Sequence, residues 1–98
     1  MSEMTVQEFA DKLVTDKAFR KEVIDHCYDV DPPADDKDAL FVWLNVGAQR
    51  MGYDFDEAEA KEAISARFNK LNGFKKITFL GSIITTTSKA KKAAGITK

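Results

Sequence analysis

Apolar residues recur along this chain at spacings of three and four, broken by short polar stretches, which is the pattern of several short helices. Val6, Phe9, Ala10, Leu13 and Val14 form the first stripe. Ahead of it, Thr5-Val6-Gln7-Glu8 has the form of a capping box. The Thr5 hydroxyl can accept from the Glu8 N–H, and the Glu8 carboxylate can accept from the Thr5 N–H. Met4 and Phe9 stand at the two staple positions around the cap. The spacing predicts a first helix over residues 6–14. Asp16 is placed to cap a second, with Phe19, Val23, Ile24 and Cys27 as its stripe, running to about residue 27 or 28.

Residues 29–36 (DVDPPADD) read as a loop, because Pro32 and Pro33 cannot sit in a helix interior and the acids keep the segment solvated. Asp35 or Asp36 can cap a third helix, with Ala39, Leu40, Trp43, Leu44 and Val46 expected to be buried. Gly47 inside it costs about 1 kcal/mol relative to Ala and marks a close helix contact. Gly52 suits the left-handed position that closes this helix. The breadth of its apolar run makes it the expected centre of the fold. Asp56, with Glu59 three residues on, opens a fourth helix carrying Ala60, Ala63, Ile64, Phe68, Leu71 and the stem of Arg67. Phe55 precedes that cap and can pack down. Asn72-Gly73 reads as the stop.

From residue 74 the texture changes. The stretch FKKITFLGSIITTTS (74–88) is rich in Ile, Thr and Phe, which favour extended structure. Three arrangements suit it: a hairpin about Gly81-Ser82, a short helix packed on the others, or a mobile segment. Residues 89–98 are small, basic and expected to fray. The expected architecture is all-α: a small bundle of about four short helices over residues 1–72, followed by a less regular basic segment over 73–98.

Charge sharpens that boundary. All 16 acidic residues of the 98 lie in the first 66, against seven basic ones, a local balance of −9. From Arg67 onward there are eight basic residues and no acid. Arg67 and Lys70 can serve the C-terminal dipole of the fourth helix. Lys75, Lys76, Lys89, Lys91 and Lys92 are then the basic contacts the segment offers. Such a split suits a chain whose two parts attract different things.

Little in the sequence points to catalysis. A single cysteine, Cys27, excludes an internal disulfide and a multi-thiolate metal site. It falls on its helix's apolar stripe, and its neighbour His26 points about 100° away, so the two form no catalytic pair by helix geometry. There is no second histidine. Asp29, Asp31, Asp35, Asp36 and Asp38 are dense, but they lack the Gly and Glu positions of a calcium loop and read as solvated caps. No glycine-rich phosphate loop has the required spacing. We expect no metal, no cofactor and no enzyme. No apolar run approaches the roughly 20 residues that cross a bilayer. The opening residues lack the basic-then-apolar order of a secretory signal, so the expected location is the cytoplasm.

Phe74 and Phe79 among lysines meet the coarse recipe for nucleic-acid binding, but the acidic two-thirds of the chain would repel that ligand. Ile77, Phe79, Leu80, Ile83 and Ile84 with flanking lysines have the composition of a membrane-surface segment, weakened by a poor helical stripe and much Thr. The plainer use of these residues is as a last core element with its lysines outside.

Two stretches carry a family resemblance. Residues 4–20 (MTVQEFADKLVTDKAFR) resemble the start of Nif11-type domains, a short helix with a Phe and then an Asp-led second helix. Residues 48–59 (AQRMGYDFDEAE) resemble that family's Gly-Tyr/Phe-x-Phe segment and acidic helix start. The family includes leader regions of ribosomally made, post-translationally modified peptides, and small proteins encoded near nitrogen-fixation genes. The resemblance implies a helical handle bound by a modifying enzyme, with Gly52, Tyr53 and Phe55 as the aromatic contact. It also implies a modified tail after Gly73, in which Ser82, Thr85, Thr86, Thr87 and Ser88 are the hydroxyls open to dehydration. The alternative is a small adaptor or regulator whose basic tail binds an acidic protein, nucleic acid or a membrane surface. Packing of residues 74–88 onto the helices would count against the precursor form.

Overall fold

Each helix opens where a side chain can accept the orphan N–H groups of its first turn. Thr5 and Glu8 form the reciprocal box at 3.1 and 3.0 Å and start α1 (Val6–Thr15). The Asp16 carboxylate accepts from Ala18 and Phe19 at 3.0 and 3.1 Å, turning the chain directly into α2 (Lys17–Asp25). Asp36 does the same for α3 (Lys37–Arg50), and Asp56 accepts from the Glu59 N–H to open α4 (Glu57–Asn69). A fifth helix, α5 (Gly73–Ala93), is capped by Asn72, whose side chain accepts from the Lys75 N–H at 2.8 Å. This computed structural model describes residues 4–33 and 35–95, and among them there is no strand.

The small all-α bundle expected from the spacing is what forms, with one correction. Residues 73–93 are not a less regular tail but a 21-residue helix. Asn72 begins this helix rather than ending α4, which stops three residues earlier at Asn69. Ile and Thr are weak helix formers by only a fraction of a kcal/mol each, a deficit that packing one face can override. Phe79, Ile83 and Thr87 supply that face at four-residue spacing, and all three are buried. The Thr78 and Thr87 hydroxyls donate to the carbonyls four residues back at 2.9 and 2.8 Å, so neither needs solvent.

α1 packs on α4 and α2, α3 packs on α4 and α2, and α5 lies against α2. Phe9, Leu13, Val23, Ile24, Phe41, Leu44 and Ile64 are shut off from solvent at the centre. The Phe9 ring meets Phe19 at 5.7 Å and Phe55 at 5.2 Å, while Phe68 bridges Phe41 and Phe79 at 5.6 and 5.9 Å. Phe79 and Ile83 thus belong to the same core as the first four helices. α3 buries residues on most of its sides, including Phe41, Asn45 and Ala48, which the spacing does not mark. Val46 and Ala39 are only half-buried.

Two glycines have defined tasks. Gly52 has φ 104° and closes α3 in a Schellman motif: its N–H donates to Gln49 O at 3.1 Å, and the Tyr53 N–H donates to Ala48 O at 3.0 Å. Gly47 brings α3 onto α2 backbone to backbone. A Cβ there would stand 2.5 Å from the Val23 carbonyl oxygen and 2.8 Å from its Cγ1.

Candidate functional site

The docked position of α5 depends on Arg20. This guanidinium is buried, 7% exposed, between α1, α2 and α5. Its Nη1 donates to the Leu13 carbonyl at the end of α1, at 2.8 Å. Its Nε donates to Ser82 Oγ at 2.9 Å, and its plane lies 5.1 Å from the Phe79 ring centre. Burial pulls the Arg20 pKa down, and the nearby Asp16 carboxylate opposes that shift. One long side chain therefore ties α5 to both helices beneath it. Arg20 was not marked by the sequence reading, although it stands three and four residues before Val23 and Ile24, on their face.

The other side of α5 faces water. Phe74, Ile77, Gly81 and Ile84 are spaced three, four and three residues apart, so they form one stripe opposite Phe79, Ile83 and Thr87. Phe74 is 78% exposed, Ile77 73% and Ile84 47%. Three large apolar side chains on one helix face are unusual to leave in water, and such patches mark contact sites. The anticipated basic contacts divide around this stripe. Lys75, Lys89 and Lys92 are exposed; Lys92 falls in line with the stripe and Lys89 about 60° to its side, while Lys75 lies about 100° round from Phe74, towards Phe79. Lys76 is half-buried, its Nζ 5.6 Å from the Phe68 ring centre, and Lys91 pairs with Asp31.

Beside Lys89, the last turns of α5 stand off α2 and leave an open groove of about 850 Å³. Ala18, Ala90 and Ala93 line it, together with Lys17, Lys21, Lys89 and the acidic Asp25. Both the outer stripe and this groove therefore offer apolar surface beside ammonium groups.

The hydroxyls of α5 are not equivalent. Ser82 accepts from Arg20 and donates to Phe79 O at 2.9 Å, and Thr87 is buried. Thr85 and Ser88 are exposed, and Thr86 is half-buried. Tyr53 and Phe55 stack with rings 5.4 Å apart and nearly parallel, next to the exposed Gly52. Both are half-buried against Phe9, so each has one edge in the core and one in water.

Cys27 is fully buried, its Sγ 3.5 Å from the Val23 carbonyl. Burial pushes its thiol up to about 12, with Arg50 and the Gly47 backbone opposing the shift and Asp29 adding to it. At neutral pH it is a thiol rather than a nucleophilic thiolate. It should resist a thiol reagent in the folded protein and react fully in denaturant; rapid reaction in the native state would contradict its burial. A sign follows for stability. The folded state holds this proton above the unfolded thiol value of about 8.5, so stability falls as pH rises from there towards 12. Urea titrations of the parent and Cys27→Ala should diverge in slope over that window.

His26 is exposed, its Nδ1 2.9 Å from the Glu22 carbonyl. Arg50 bonds the His26 carbonyl and the Asp29 carboxylate at 3.0 and 2.5 Å, and that bond holds the Asp29 pKa below its usual value. These contacts fasten the turn after α2. Among the described residues, no three His, Cys, Asp or Glu side chains gather as a metal site. No described helix is long and apolar enough to cross a membrane. The chain matches no family model, no curated protein and no solved structure.

Proposed function

We propose that this chain is a non-catalytic helical recognition protein whose outward α5 face binds an acidic protein. The observation that carries this reading is the exposed stripe of Phe74, Ile77 and Ile84 on a helix that carries exposed lysines and no acid. Apolar burial supplies affinity there, and the lysines supply attraction and partner choice. Among the exposed side chains of the stripe only Phe74 is aromatic, whereas a nucleic-acid partner stacks successive bases on several rings. A cytoplasmic location belongs with this reading.

The test uses a labelled Glu-rich peptide and fluorescence anisotropy. Replacing Lys75, Lys89 and Lys92 together by Gln should weaken binding by about tenfold or more, and raising salt from about 0.15 to 0.5 M should do likewise. Affinity unchanged by both would remove the proposal.

A second reading is the Nif11-type precursor, in which a modifying enzyme binds the helical part and α5 becomes the product. The half-exposed Tyr53–Phe55 stack beside Gly52 favours it, as an aromatic handle at a rigid turn. It requires α5 to leave α2, because Ser82 and Thr87 are engaged in the packed helix. Intact-mass measurement on protein from its native host decides this reading: cleavage at or after Asn72, or loss of water from Thr85 or Ser88, supports it, and a full unmodified chain ends it.

A further inference from the structure

Gly81 has no task inside this molecule. It sits mid-helix in α5, where glycine weakens a helix relative to alanine. A Cβ built on it meets nothing within 4 Å. Its backbone φ is not positive, so no left-handed turn calls for it. Gly47 is the contrast, since a Cβ there runs into the α2 backbone. Yet Gly81 stands in line with Phe74, Ile77 and Ile84, between the second and third of these exposed apolar side chains. The stripe therefore has a dent at its centre, and the helix backbone is bare at that point.

A dent flanked by large apolar side chains is what a crossing helix uses. Helix axes pack about 8–10 Å apart, and the near end of that range needs small residues at the crossing point. A fluid bilayer gains nothing from a dent. The stripe is also narrow, with Thr78, Thr85 and Ser88 beside it, where a membrane-surface helix needs a broad apolar face. A second α5 is a poor occupant, because this helix carries five basic residues and no acid, so two copies laid together would bring like charges into contact.

Resting on the acidic-partner reading, we infer that the partner element is an acidic amphipathic helix that crosses α5 at Gly81. It would seat a side chain in the dent between Ile77 and Ile84 and set its carboxylates against Lys89 and Lys92. The contact is a helix laid across a helix, with the apolar stripe as its centre and the lysines as its rim.

The experiment compares two synthetic peptides of about 20 residues and identical composition, rich in Glu, Leu and Ala. One is arranged as an amphipathic helix. The other is scrambled to remove the apolar face. Binding is read by anisotropy with the full chain and with Gly81→Ala and Gly81→Leu. The Cβ of either variant enters open space and both residues favour a helix over Gly, so thermal melting should show Tm unchanged or raised. The amphipathic peptide should bind at least about tenfold more tightly than its scramble, and Gly81→Leu should erase that advantage. Equal binding of the two peptides, or a Gly81→Leu protein that still prefers the amphipathic one, overturns the crossing at Gly81 while leaving the acidic-partner reading in place. Failure of both peptides to bind, with the chain binding vesicles of equal phosphatidylcholine and phosphatidylglycerol through Phe74 and Ile77, overturns both.

Discussion

Gly47→Ala is expected to destabilise the fold by about 2–3 kcal/mol, as overpacking at a rigid contact does. The added methyl meets a backbone carbonyl at 2.5 Å, which cannot swing aside as a side-chain end would. Relief requires α3 to move off α2, and that movement loosens Val23, Cys27, Leu44 and Ala48 together, all fully buried. A small domain has only about 5–15 kcal/mol in hand, so the change takes a large share of it. At about 4–8 °C per kcal/mol for a chain of this size, Tm should fall by about 10–20 °C. Thermal melts by circular dichroism measure this directly. Gly81→Ala is the internal reference, because the same added methyl enters open space there and should hold or raise Tm by the usual helix preference for alanine. A Gly47→Ala protein that melts like its parent would mean that α2 and α3 do not approach as closely as described.

Phe79→Ala should cost about 3–5 kcal/mol, the range for emptying a buried Phe site. The ring is 2% exposed and contacts Phe68 on α4 as well as the Arg20 guanidinium. Its loss leaves Arg20 beside a void with one fewer neighbour, although the bonds to Leu13 O and Ser82 remain possible. The damage should therefore be uneven. α5 should loosen first, because Phe79 and Ile83 are its two large apolar contributions to the core, while the Phe9–Phe19–Phe55 ring contacts do not involve Phe79. Urea titration gives the total. Proteolysis at low urea shows the order, with cleavage in residues 74–93 ahead of the rest. A stable Phe79→Ala protein with α5 as resistant as before would contradict the packing described.

The parts of this fold that were legible in the sequence are the local ones. Thr5, Asp16, Asp36 and Asp56 cap the helices they precede, because a cap needs only a short polar side chain within three residues of the N–H groups it accepts from. Gly52 closes α3 for a similarly local reason, and Cys27 is buried where its stripe puts it. α5 was not legible because its signals conflict. Asn72-Gly73 serves equally as a helix stop or a helix start, and nothing within a few residues decides between them. Its Ile and Thr content points towards extended structure, and the burial of Phe79 and Ile83 against distant helices overrides that preference. Arg20 shows the same limit. A basic residue on an apolar face can be read from spacing, but its partners Leu13 O, Ser82 and Phe79 lie up to 62 positions away.

The candidate site divides in the same way. The lysines and Phe74, Ile77 and Ile84 were visible as a basic, apolar segment. Which of them face outward follows only from the helix, since an extended segment would have sorted the same residues into different sets. Of the hydroxyls, Ser82 and Thr87 are engaged in the packing of α5, while Thr85 and Ser88 stand exposed, a division that follows only from the helix.

All of this rests on α5 being a docked structural helix with one face committed to the core. Native-state amide hydrogen exchange tests it most directly. The amides of residues 79–87 should exchange slowly, with opening free energies close to that of global unfolding, while those beyond residue 90 exchange faster. Exchange of residues 79–87 at unfolded-chain rates, beside slow exchange in α1 to α4, would contradict it.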